Sequence, residues 1–155
     1  MQRTRIVDLA VPFLIIGVAA YVLLRFSYDS IPPLNLFAGV PLAALAAAEF
    51  VAARRVRAAV RHDPHARAMA AIVIARCTAL GKASSLVGAA VAGAAAGLLV
   101  RVIPDASTLR AAANDTRAGI ALLAASLLVC VAGLVLERAG VDPNRFRRDR
   151  ENDQF

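Results

Sequence analysis

The side chains in this sequence that could do chemistry are few, and most sit where apolar runs begin or end. Glu49 lies near the far end of one apolar run, and Arg76 and Lys82 stand at the start of the next, followed by Ser84 and Ser85. Asp8 interrupts the start of the first run. Counted from the ends of their apolar runs at ~1.5 Å per helical residue, Glu49 and Lys82 lie at matching depths of roughly 5 Å, so neighbouring helices would let them meet. Three readings stay open for the group Asp8, Glu49, Arg76, Lys82, Ser84 and Ser85. It is a structural charge cluster that fixes helix register, a functional polar site, or a set of charges that snorkel to the interface without contact.

Other constellations are thinner. His62-Asp63-Pro64-His65 offers two imidazoles and a carboxylate, but Pro64 makes it a turn and no further ligand lies close in sequence, so it reads as a solvated loop with no metal. Cys77 and Cys130 are too far apart for a redox or zinc motif and read as free thiols. No histidine falls inside an apolar run to ligate a haem, and no glycine-rich phosphate loop occurs. Lys82 and Ser84 are two residues apart and point to different helix faces, which weakens a Ser-Lys dyad. The expectation is therefore no catalytic site, no cofactor and no enzyme.

The elements that must position these residues are transmembrane helices. The 155 residues are 59% hydrophobic with only 5% aromatic, and the mean hydropathy is +0.64; this composition points away from a soluble globular domain. The net charge of +7 does not indicate nucleic acid, because the arginines lie between apolar runs and are not interleaved with aromatics. Four spans are expected, at about 6–24, 34–53, 80–100 and 119–136, joined as two helical hairpins. The first carries Pro12 and reads as an uncleaved span, despite a basic start and an apolar core that resemble a signal peptide. Phe26, Tyr28 and Pro32-Pro33 mark a tight connection at the headgroup layer. Between the third and fourth spans, Ala106, Leu109, Ala112 and Ala113 suit a short amphipathic helix, with Asp115 or Thr116 as cap of the fourth span. Residues 1–138 form the membrane domain, and 139–155 read as a disordered tail.

The third span carries a ridge of small residues, Gly81, Ser85, Ala89, Gly93 and Gly97, at every fourth position. In lipid such a ridge lets another helix approach until backbones touch. It serves either as a seam within the four-helix unit or as an interface with a membrane-protein partner or a second copy. Orientation follows from the basic residues: 13 belong to the N-terminus, the central segment from Arg54 to Arg76 and the tail, against 4 at Arg25, Arg101, Arg110 and Arg117. The positive-inside rule then puts both termini in the cytoplasm. There the arginines would attract anionic lipid headgroups at about 1 kcal/mol each. Abundant alanine, and arginine in place of all but one lysine, suits a GC-rich bacterial genome.

The stretch from Arg76 to Ser84 with its Lys82-Ala83-Ser84, Gly88, Pro104, Leu109-Arg110 and Asn114-Asp115-Thr116 resembles the actinobacterial membrane proteins of domain of unknown function 3180. The first span with its Pro-Pro and the Glu near the end of span two are also similar. The resemblance covers nearly the whole chain and implies a four-span plasma-membrane protein, often encoded beside folate biosynthesis genes, with no assigned activity. The segment Asp105 to Thr108 departs from it, since relatives are more basic there and carry an aromatic.

Overall fold

The computed structural model describes residues 6–27, 35–61, 69–107 and 109–140. All secondary structure among them is helical: α1 (Ile6–Ser27), a 3-10 turn (Leu36–Gly39) leading into α2 (Val40–Val60), α3 (Ala71–Val102), a second 3-10 turn (Ile103–Asp105), and α4 (Arg110–Ala139). Four helices are long and apolar enough to cross a membrane, which is the build of a membrane protein. Arg3, Arg5, Tyr28, Pro32-Pro33, the His62 to His65 segment, Arg67 and the tail from 141 onward lie outside the described residues.

Each helix outruns its apolar stretch. α3 starts at Ala71 and α4 at Arg110, both about nine residues before the expected spans. Alanine and arginine are strong helix formers, so hydropathy marks where lipid ends while the helix runs on. The separate amphipathic helix after Pro104 does not exist as such: Ala112 and Ala113 belong to α4. Asp115 and Thr116 are therefore not caps. Thr116 Oγ1 instead donates to Ala112 O at 2.7 Å within the helix. Ahead of α2, Asn35 Oδ1 accepts from Phe37 N at 3.1 Å and starts the 3-10 turn, and Pro41 occupies the first turn of the helix, where its missing N–H costs nothing.

The helices lie in the order α1–α3–α4–α2 across the molecule. α3 packs on α1 and on α4, α4 packs on α2, and the only other helix contact among the described residues is a thin one between α2 and α3. This corrects the expectation of two hairpins. α3 and α4 pack as an antiparallel pair, but α1 and α2, consecutive in sequence, do not touch. The physical reason lies in α3, which has small residues on two sides: Gly81 and Gly88 meet α4, while Gly93 and Gly97 meet α1. α1 and α2 have no comparable mutual faces.

Contacts also fix directions. Gly93 lies against Phe13 and Gly97 against Gly17 and Tyr21, so α1 and α3 run parallel. Ala46 clusters with Val129 and Ala132, and Val56 with Leu136 and Ala139, so α2 and α4 run parallel. Arg54, Arg55, Arg57, Arg61, Arg76 and Arg138 thereby gather at one end of the molecule, and Arg25, Arg101, Arg110 and Arg117 at the other.

Candidate functional site

The α3–α4 seam is built from backbone contact. A Cβ at Gly81 would lie 2.6 Å from Gly133 O, and one at Gly133 2.6 Å from Gly81 O, so each glycine makes room for the other. Gly88 sits equally close to the backbone of Ser126 and Cys130. Along the expected ridge, Gly81 and Ser85 therefore face α4, whereas Gly93 and Gly97 face α1; Ala89, between them, is buried. A row at every fourth position drifts about 40° per step around a helix with 3.6 residues per turn, so one ridge passes from one neighbour to the other. It is occupied inside the chain along its length. The partner interface expected of Gly93 and Gly97 is thus filled by α1.

The expected charge cluster is not assembled. Asp8 is exposed on α1, and α1 does not touch the helix that carries Glu49. Arg76 and Lys82 are both exposed on α3, while at the other end of the molecule Arg101 Nη1 pairs with Asp105 Oδ2 at 2.6 Å. Glu49 turns inward and Lys82 outward. Two of the six residues do meet Glu49's surroundings. Ser84 faces its carboxyl, and Ser85 is fully buried one residue on, its Oγ donating to Lys82 O at 2.9 Å.

Glu49 itself is 2% exposed. It sits where α2, α3 and α4 converge, just past an apolar cluster of Ala53, Val56, Leu136 and Ala139 against which Ile74 and Cys77 of α3 pack. Neither of its carboxyl oxygens has a hydrogen bond.

Three further polar groups are buried that the sequence reading left at helix ends or passed over: Asp115, Ser126 and Glu137. The backbone N of Glu137 lies at Gly81, inside the seam. A signal was present. Asp115, Ser126 and Glu137 are spaced by eleven residues, three helical turns, and so share one face of α4 with Gly119 and Gly133. Among the described residues no three His, Cys, Asp or Glu side chains come together as a metal site. Cys77 and Cys130 are free and half-buried.

At the opposite end a groove of about 370 Å³ opens between α1 and α3, lined by Tyr21, Arg25, Val100, Arg101 and Pro104. One family matches the chain, described as a protein of unknown function (DUF3180), over residues 9–143. The chain belongs to this family. The DUF3180 match takes in all of α2, α3 and α4 and most of α1, so the seams and the Glu49 junction lie within the family domain. No curated protein and no solved structure matches the chain.

Proposed function

We propose that this protein is a non-enzymatic membrane protein that works through helix contacts, as an assembly or regulatory partner of another membrane protein or of a second copy of itself. The observation that carries the reading is the open row of helices, whose two outer members present unlike faces. α1 turns Val7, Val11, Leu14, Ile15, Val18 and Leu23 outward, each at least half exposed; bulky aliphatic side chains of this kind suit lipid chains. α2 turns Ala43, Ala44, Ala47 and Ala48 outward between the exposed Val40 and Val51, opposite its buried Ala46, Glu49, Ala53 and Val56. In lipid, where apolar bulk brings no gain between helices, a face of small residues favours close helix association.

In this reading the Arg-rich end faces the cytoplasm of a bacterium, with both termini inside and the arginines against anionic headgroups, as the positive-inside rule directs. Transport through a paired Glu49 and Lys82 is the weaker alternative, because Lys82 is exposed and forms no ion pair among the described residues.

The test is affinity purification of the tagged full chain from gently solubilised native membranes, beside an Ala44→Leu/Ala48→Leu variant, with quantitative mass spectrometry. The wild type should retain one membrane protein, or a second copy, at near one-to-one ratio, and the variant should lose most of it while inserting normally. A wild-type monomer with nothing at comparable abundance, or full retention by the variant, defeats the reading.

A further inference from the structure

Among the described residues, Glu49 is the buried carboxyl with neither oxygen hydrogen-bonded. A buried carboxyl with neither oxygen hydrogen-bonded to protein is costly, and an apolar residue of similar volume would fill the same space without that penalty. Its surroundings define what it can hold. Ser84 is the polar side chain that faces it. Ser85 and Ser126 are fully buried nearby, but each spends its hydroxyl proton on its own helix, Ser85 on Lys82 O and Ser126 on Leu123 O, both at 2.9 Å.

Among the described residues, no cation of the packed elements bonds to Glu49. On α3 the titratable groups of this region are Arg76, Cys77 and Lys82, and on α4 they are Cys130, Glu137 and Arg138; α2 itself carries Arg54 and Arg55 one turn or so further on. None of them bonds to Glu49, and all the basic ones are exposed. A calcium ion takes roughly 6–8 oxygens and a zinc site at least about three protein ligands. One carboxyl and one hydroxyl satisfy neither. They do satisfy a proton, which needs one oxygen to carry it and one acceptor to face.

We propose that Glu49 is a reversible proton-binding site within the α2/α3/α4 junction. The carboxylate takes up one proton from water to become a neutral acid facing Ser84 Oγ, and returns the same proton to water; nothing is oxidised and no bond between heavy atoms changes. The thin α2–α3 contact covers the site lightly on one side. This inference rests on one chain alone, so it stands or falls separately from the assembly reading.

The experiment is labelling of the full chain in liposomes of phosphatidylethanolamine and phosphatidylglycerol with dicyclohexylcarbodiimide. This apolar reagent attacks a carboxylic acid that carries its proton. Mass spectrometry should find Glu49 modified, with a yield that falls as the pH is raised and the acid gives up its proton. A water-soluble carbodiimide should leave Glu49 untouched, sodium chloride should not protect it, and the Glu49→Gln chain should show no adduct at this position. An unmodified Glu49, a yield independent of pH, or protection by sodium overturns the proposal. Glu49→Met gives a second readout in the same liposomes: its melting temperature should equal or exceed that of the wild type, and a fall of more than a few degrees would assign Glu49 a structural role instead.

Discussion

Gly81 and Gly133 show how much of this fold depends on single missing methyl groups. Each would push a Cβ to 2.6 Å from the other's carbonyl oxygen, closer than real Cβ contacts come, and the obstacle is backbone that cannot rotate away. Gly119 differs, since its Cβ would meet the tip of Leu99 at 3.0 Å, the far end of a flexible side chain. Gly81→Ala and Gly133→Ala should therefore each lower stability by about 1–3 kcal/mol, the usual cost of overpacking, and Gly119→Ala by clearly less. Unfolding in detergent, followed by circular dichroism, checks the ranking; equal losses at the three positions would mean that the seam adjusts freely. Glu49 stands at the same scale with the opposite character, a group whose removal relieves the interior.

The long helices answer to two neighbours at once, and this decides the arrangement. α3 offers small residues on two sides, α4 offers a glycine face to α3 and an alanine and valine face to α2, and α1 has one close seam, through Gly17. The pair in the middle of the row is thus the pair with two packing faces. In a background free of Cys77 and Cys130, a cysteine pair at Ala46 and Val129 should cross-link in high yield with a short bifunctional thiol reagent, whereas a pair at Ala19 and Ala44 should not react within one chain. Intramolecular linkage of Ala19 to Ala44 would restore the α1–α2 hairpin and contradict the helix order. Hairpin pairing is the natural expectation for short connections, but short connections limit only how far apart helix ends lie. They do not choose which faces meet.

Across the whole molecule the arginines divide by end, and the helix directions bring six of them together from α2, α3 and α4. If that end is cytoplasmic, an Arg55→Cys chain in intact cells should resist a membrane-impermeant maleimide, while an Arg110→Cys chain should react; the reverse pattern would invert the protein. The sequence by itself determined the number of spans, the helical class, the small-residue ridge and the charge asymmetry, because hydropathy, helical period and charge are local properties that lipid and water read residue by residue. It also displayed the eleven-residue spacing of Asp115, Ser126 and Glu137, though nothing local distinguishes a buried acid at a helix end from a solvated one. Only the tertiary structure decided that the ridge is shared between α1 and α4, that Lys82 points away while Glu49 points in, and that Asp8 belongs to a different neighbourhood. Those outcomes depend on the rotation of each helix about its axis and on which helix lies beside it, and both are settled by packing between segments far apart in the chain.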